Sequence, residues 1–146
     1  MKTPLHEVLR SKGTHVHTVH PEASVGAAIR TMSRLGVGSL VVTSCGDVVG
    51  LVSERHVLNA IARGVDALDR TRVRDVMDPN PVLVSPDTHV GSAMALMTER
   101  YTRHLPVVAE GALLGLVSIG DLTQWMTRAL QTEVEALQSY IGGAYQ

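Results

Sequence analysis

Two short segments (phrases) of this 146-residue chain contain polar side chains that could bind a ligand. "GLVSERHV" occupies 50–57 and "GLVSIGDL" occupies 115–122, so the same four letters recur 65 residues apart. In the second phrase Ser118 closes an apolar run, and Asp121 follows three residues later, with Gly120 leaving space between them. This spacing is typical of a helix cap. The same residues could also bind a nucleotide, because helix N-terminal N–H groups attract anions and a carboxylate can accept hydrogen bonds from two ribose hydroxyls.

The first phrase keeps the serine, Ser53, but changes the residues that follow it. Arg55 and His56 stand where the second phrase has Gly120 and Asp121. A neutral imidazole offers a single acceptor nitrogen, so His56 cannot replace a carboxylate with two acceptor oxygens. Arg55 could contact a phosphate or could be a solvated residue of the first helical turn, and both alternatives stay open. If the two segments bind a ligand, the two sites are unequal, and the second is better equipped; the residues alone favour a helix cap over a ligand site.

An internal duplication surrounds the two phrases. Between the pairs Val19/Val84 and Ser53/Ser118, thirteen of 35 aligned positions are identical without a gap. Each copy begins with a short apolar segment ("HVHTV" or "PVLV") and a proline, followed by a stretch with apolar residues at helical spacing. Two β-branched runs around a glycine come next, and a second helix follows "GLVS". This order predicts an α/β (α+β) fold of two pseudo-symmetric β-α-β-β-α repeats that pack sheet to sheet.

The remaining segments set the boundaries of the repeats. We expect the first repeat at 14–63 and the second repeat at 81–141. Residues 64–80 lack strand character and should form a linker, with a short helix near 71–77. An N-terminal helix should precede the first repeat, and a long C-terminal helix should extend the second.

The C-terminal segment "DLTQWMTRALQTEVEALQSYIGG" predicts a long helix that Gly142 and Gly143 end. Apolar residues at helical spacing form a stripe along it: Leu122, Trp125, Met126, Ala129, Leu130, Val134, Leu137 and Ile141. About 20 helical residues extend roughly 30 Å, which is more than one small repeat can cover. A second copy of the chain is the simplest partner for the uncovered part, so we expect a homodimer.

The composition argues against several classes of function. A formal net charge of −1 favours neither nucleic acid nor an anionic membrane as a partner. Cys45 is the single cysteine, so no disulfide can form within the chain. No apolar run has the length of a signal peptide or of a membrane span, which predicts a cytoplasmic protein. No nucleophile–base pair and no Walker-type loop occurs, so we expect no catalytic residues and no enzyme.

A group of histidines near the start of the first repeat is a possible metal site. His15 and His17 would share one face of a strand, as a pair of metal ligands requires. A third ligand at suitable reach is not evident in the sequence, and surface histidines at a strand end show the same pattern. We therefore expect no metal.

The order and duplication of these features resemble the CBS (cystathionine-β-synthase) domain. The resemblance lies in the proline after the first strand, the "RHLPVV" strand, "GLVSxxD" before a helix, and the run "TRVRDVMDPNPVLVSPDT" into the second copy. It covers roughly 4–141. Two such domains in tandem form a Bateman module, and stand-alone bacterial pairs look especially similar.

The resemblance implies a regulatory adenosine ligand of the AMP, ADP, ATP or NAD type and no catalytic cofactor. In nucleotide-binding CBS domains the serine contacts phosphate or ribose, the aspartate takes the ribose hydroxyls, the basic pair before "LPVV" faces the phosphates, and the strand brackets the adenine. Carried onto this chain, the second site comprises Val82, Arg103, His104, Leu105, Pro106, Ser118, Gly120 and Asp121, and the weaker first site comprises Ser39, Ser53, Arg55 and His56. Such a module would modulate a separate, unidentified protein; the alternative is a dimerisation scaffold without a ligand.

Overall fold

A computed structural model describes residues 2–144 of the chain, which form a mixed α/β fold with an N-terminal and a long C-terminal helix. The helices are α1 (Leu5–Lys12), α2 (Val25–Leu35), α3 (Glu54–Ala62), α4 (Val90–Glu99) and α5 (Ile119–Ala144). The strands are β1 (Thr18–Val19), β2 (Ser39–Ser44), β3 (Asp47–Ser53), β4 (His104–Ala109) and β5 (Ala112–Ser118). A 3₁₀ turn at Val73–Asp75 confirms the short helix expected between the repeats. The predicted fold class is confirmed.

The strands form two small sheets, one in each repeat. In the first sheet β1 pairs with β2 in parallel and β2 pairs with β3 antiparallel, while β4 and β5 form the second sheet. The first strand of each copy is shorter than predicted, because "HVHTV" contributes two residues and "PVLV" a single bridge between Val84 and Val107. Pro21 and Pro86 follow these segments, and neither has an N–H group to continue the pairing.

The backbone irregularities of the two hairpins repeat with the same offset of 65 residues. The pairing shifts between Val42 and Thr43 in the first hairpin and between Val107 and Val108 in the second. The turns match as well, because Cys45-Gly46 and Glu110-Gly111 all have positive φ angles, at 51° and 83° and at 52° and 76°. Two successive residues with positive φ make the turn that suits a twisted hairpin. The duplication is therefore present in the backbone conformation as well as in the amino-acid sequence.

Each repeat is completed by the segment that precedes the other repeat. Leu5, Val8 and Leu9 of α1 are buried in the core of the second repeat, although α1 comes before the first. Val73 and Val76, which come before the second repeat, are buried in the core of the first. The segment expected as a linker thus supplies core side chains. Because each half covers apolar surface of the other, the two repeats pack as one body.

The C-terminal helix continues through Gly142 and Gly143 to Ala144, so the predicted end at the two glycines is wrong. A glycine ends a helix when it turns to positive φ, and neither glycine does so. Near its start, α5 is anchored by the buried Leu122, with Trp125 and Met126 against the second core. Farther along, the apolar stripe is solvent-accessible: Leu130, Val134, Leu137 and Ile141 are between 50% and 57% exposed.

Candidate functional site

Two clefts lie between the repeats, on either side of the place where Gly38 and His104 meet. A Cβ atom on Gly38 would lie 3.7 Å from the ring of His104, and both residues line both clefts. The first cleft has a volume of about 330 Å³ and is also lined by Leu51, Ser53, Glu54, Arg55, His56, Leu58, Thr102 and Arg103. The second cleft has a volume of about 390 Å³ and is also lined by Lys12, His15, His17, Gly36, Val37, Ser39, Leu116, Ser118 and Asp121. Both clefts therefore draw residues from both repeats.

Ser118 and Asp121 form a reciprocal cap at the start of α5. The Asp121 N–H donates to Ser118 Oγ at 3.1 Å, and the Ser118 N–H donates to Asp121 Oδ2 at 2.8 Å. The capping interpretation of this pair is confirmed. The carboxylate nevertheless stays half-buried in the wall of the second cleft, and the cap uses Oδ2. Gly120 is not among the residues that line either cleft, and a Cβ on it would meet nothing closer than Ser118 Oγ at 3.6 Å, so no close contact requires a glycine there.

Lys12, which the sequence analysis did not name, contacts the same carboxylate. Its Nζ lies 2.6 Å from Asp121 Oδ2 and 2.8 Å from the carbonyl oxygen of Leu116. Burial alone would raise the pKa of Asp121, but hydrogen bonds from Lys12 and Ser118 and the charge of Lys12 lower that pKa overall. Asp121 is therefore held as a charged acceptor. No local motif marks Lys12 in the sequence, because it reaches Asp121 from a helix at the other end of the chain.

The cap of the first cleft uses a histidine in place of the aspartate. The Ser53 N–H donates to His56 Nδ1 at 3.0 Å, and the His56 N–H donates to Ser53 Oγ at 3.4 Å. Burial lowers the pKa of His56, the charge of Arg55 lowers it further, and Asp78 opposes both. Because Nδ1 accepts in the cap, the proton of the neutral ring lies on Nε2. His56 thus presents a donor to its surroundings, where Asp121 presents an acceptor.

The structure places two of the predicted site residues in the cleft opposite to the one that the sequence predicts. Arg103, expected beside Asp121, lines the first cleft, and Ser39, expected in the first site, lines the second. Arg103 immediately precedes β4 in the second repeat, but it lines the same cleft as the cap residues Ser53 and His56 of the first repeat. Arg55 also lines the first cleft, with its guanidinium donating to the carbonyl oxygen of Tyr101. The first cleft therefore carries Arg55, Arg103 and Glu54, and the second carries Lys12 and Asp121.

The remaining predicted residues of the second site separate into two groups. His104 lines both clefts; burial lowers its pKa, and this outweighs the opposing charge of Asp121. Leu105 and Pro106 are buried in β4, and Val82 packs against the second core. These three line neither cleft, so a ligand there would meet other side chains.

Ser39 is a buried polar side chain without a partner. It is 3% exposed, and its Oγ makes no hydrogen bond within residues 2–144. Buried hydroxyls in proteins are nearly always paired, and an unpaired one calls for an explanation. Ser39 is also one of the residues that line the second cleft.

The histidines near β1 do not form a metal site with their neighbours. The rings of His15 and His17 lie edge to face, with their centroids 4.6 Å apart. Across residues 2–144, no group of three or more histidine, cysteine, aspartate or glutamate side chains is placed to hold a metal ion. Over the same residues, none of the helices combines the length and apolar character needed to cross a membrane.

Comparisons with known proteins match both halves of the duplication. The sequence model of the CBS domain matches residues 3–63 and 73–128. The mitochondrial CBS domain-containing protein CBSX3 of Arabidopsis thaliana is 32% identical over 152 residues, covering 98% of this chain and 74% of that protein. The CBS domain-containing protein YhcV of Bacillus subtilis (strain 168) is 33% identical over 110 residues, covering 75% of this chain and 77% of that protein.

Solved structures match the fold over most of its length. A CBS-domain containing protein from Agrobacterium tumefaciens is 34% identical with a TM-score of 0.82, covering 85% of this chain and 99% of that one. A CBS domain protein from Pyrobaculum aerophilum, solved in complex with AMP, is 27% identical with a TM-score of 0.72, covering 81% of this chain and 88% of that one.

We predict that Asp121→Asn destabilises the chain more at pH 7 than at pH 3. The pKa of Asp121 is lower in the folded chain than its ordinary value, so its stabilising effect is complete above about pH 4. The effect is lost as the pH falls through the lowered pKa, because protonation removes the charge that Lys12 and the cap hold. Urea denaturation of both proteins at the two pH values measures the difference in the free energy of unfolding.

Asp66→Asn is the matched control, because it removes an exposed carboxylate from the segment between the repeats. We expect this control to show no such dependence on pH. An Asp121→Asn effect of equal size at pH 7 and pH 3 would contradict the assignment.

Proposed function

This chain belongs to the CBS domain family as a tandem pair, as its sequence predicted, and we propose a function for that pair. It is a regulatory module that binds an adenosine nucleotide in its second cleft. The observation that carries the proposal is the pairing, in one cleft, of a charged carboxylate (Asp121) with an unpartnered buried hydroxyl (Ser39). The volume of about 390 Å³ is in the range of small-molecule sites. The AMP complex of the Pyrobaculum aerophilum relative supports the choice of an adenosine ligand.

Each part of an adenosine nucleotide has a complementary group in this cleft. The ribose hydroxyls would donate to Asp121, whose cap and lysine contacts fall on Oδ2 and leave Oδ1 for the ligand. The hydroxyl of Ser39 would pair with a polar edge of the base or sugar. Val37 and Leu116 supply apolar surface. The phosphate number is open, so AMP, ADP, ATP and NAD-type ligands are all candidates.

A ligand in this cleft would contact both repeats, and this supports a regulatory role. Ser39 belongs to the first repeat, whereas Ser118 and Asp121 belong to the second. A molecule that bridges them stabilises one arrangement of the two halves in proportion to its affinity for that arrangement. In this proposal the ligand acts as a signal to a separate partner protein and is not a substrate.

We also propose that the exposed stripe of α5 makes the chain a homodimer. Leu130, Val134, Leu137 and Ile141 follow one another at intervals of four, three and four residues, which is the spacing of a helix–helix seam. A stripe of exposed leucine, valine and isoleucine on one face of a helix is costly in water. A second copy offers the same stripe in return. If the clefts bind no ligand, this surface supports the alternative function, a dimerisation scaffold.

Asp121→Asn tests the nucleotide site. Asparagine caps a helix as well as aspartate does, but it lacks the charge and one acceptor oxygen. We expect affinity for AMP, or for whichever adenine nucleotide binds most tightly, to fall by roughly tenfold or more, about 1.4 kcal/mol, in titration calorimetry. Asp66→Asn serves again as the control and should bind normally. Unchanged affinity in Asp121→Asn would remove Asp121 from the ribose.

His56→Asp tests why the two clefts differ. An aspartate at this position can accept from the Ser53 N–H, as Asp121 does from Ser118, and still leave an oxygen for a ribose. We expect the variant to gain or strengthen binding in the first cleft, so that the calorimetric stoichiometry rises toward two nucleotides per chain. His56→Asn keeps one acceptor oxygen without the charge and is the control. A stoichiometry that stays the same would count against the equivalence of the two caps.

Charge placed on the stripe tests the dimer. We expect the double variant Leu130→Glu/Leu137→Glu to be a monomer of about 15.6 kDa by light scattering, because buried glutamates would repel one another across the seam. The control, Thr132→Glu/Ser139→Glu, adds the same charge to the opposite face of α5 and should leave the dimer intact. A wild-type chain that is monomeric at micromolar concentration would contradict the proposal.

A further inference from the structure

The two clefts take their positive charge from different parts of the chain. In the first cleft it comes from Arg55 and Arg103. At the offset of 65 residues, Arg103 corresponds to Gly38, which brings no charge to the second cleft. The second cleft is lined by one lysine and by no arginine among the residues 2–144 found to line it; this lysine, Lys12, lies before the aligned span of the duplication, which begins at Val19. The cation of the second cleft therefore does not follow the duplication, and α1 supplies it.

Lys12 is held firmly at the edge of this cleft. Leu9, one turn earlier on α1, is buried against Gly115 so closely that a Cβ there would lie 2.7 Å from a Leu9 methyl group. Gly13 ends the helix directly after Lys12, with a φ angle of 101°. The Lys12 side chain is 35% exposed and already bonded to Asp121 and Leu116. Its ammonium thus lies next to the proposed ribose acceptor.

Among residues 2–144, the ammonium of Lys12 makes two hydrogen bonds, which leaves one of its donors for a ligand. A lysine ammonium carries three N–H groups, of which one donates to Asp121 Oδ2 and one to the Leu116 carbonyl oxygen. A carboxylate alone in the cleft would repel a phosphate. The adjacent ammonium offsets that repulsion, and a charge-assisted hydrogen bond to phosphate is about twice as strong as a neutral one.

We propose that Lys12 gives its third N–H to a phosphate oxygen of the ligand and so makes the second cleft select a phosphorylated adenosine over adenosine itself. The inference rests on the proposed nucleotide function. It assigns to α1 a direct role in recognising the ligand, in addition to its role in the second core. Lys12 then replaces Arg103, which the sequence suggested, as the proposed phosphate contact of this site.

The test compares AMP with adenosine by titration calorimetry on the full chain. Lys12→Gln should weaken AMP binding by about tenfold or more and adenosine binding by less than about threefold, because only AMP has the phosphate. Lys12→Met removes the ammonium but keeps the apolar stem, and should give the same pattern. Lys12→Arg should retain most of the preference for AMP. Arg10→Gln, the matched control, removes a charge from the same helix at a side chain that is 75% exposed and lies 3.6 Å from Glu7.

The outcomes separate this inference from the function on which it rests. If the wild-type chain binds AMP and the Lys12 variants lose AMP and adenosine equally, Lys12 only orients Asp121 and the inference is overturned. Unchanged binding of both ligands in Lys12→Gln and Lys12→Met overturns it as well. Where another adenine nucleotide binds more tightly than AMP, that nucleotide replaces AMP in the comparison. A wild-type chain that binds neither adenosine nor any of AMP, ADP, ATP and NAD refutes the nucleotide function itself.

Discussion

Reciprocal burial of short segments between the two repeats is the constraint on which the rest of this structure depends. Helix α1 places Leu5, Val8 and Leu9 in the core of the second repeat, and the 3₁₀ turn places Val73 in the core of the first. Each fully buried aliphatic side chain contributes about 1.5–3 kcal/mol, so separating the halves would expose a large apolar surface. The clefts exist because the halves are held together, and both repeats line each cleft.

The cap at the start of α5 shows that structural and ligand-binding roles can coexist in one carboxylate. Asp121 completes the cap and pairs with Lys12 through Oδ2, and both contacts keep it charged and oriented. A carboxylate has acceptor sites to spare after such contacts, whereas a neutral imidazole has none. The cap of the first repeat, built with His56, therefore preserves the helix start without preserving the acceptor. The two repeats share this scaffold, and the residues that differ between them make the two clefts unequal.

Local patterns predicted most of the fold and the cap at the start of α5. Helical spacing, the turn glycines Gly46 and Gly111, and the Ser118–Asp121 cap depend on residues close in sequence, so one chain suffices to find them. The places of Lys12 and Arg103 depend on how distant segments pack across the boundary between the repeats, which no local pattern records. The predicted end of α5 at Gly142 and Gly143 was wrong for a related reason. A glycine ends a helix through its backbone conformation, which its presence in the sequence does not determine.

The most direct test of the account is a calorimetric titration of the wild-type chain with AMP, ADP, ATP and NAD. The account predicts saturable binding of at least one of these ligands, with one tight site per chain, because one cleft has a carboxylate acceptor and the other has an imidazole donor in its place. Two equal sites would contradict the proposed inequality of the clefts. No binding of any of the four would contradict the central claim that the second cleft recognises an adenosine nucleotide.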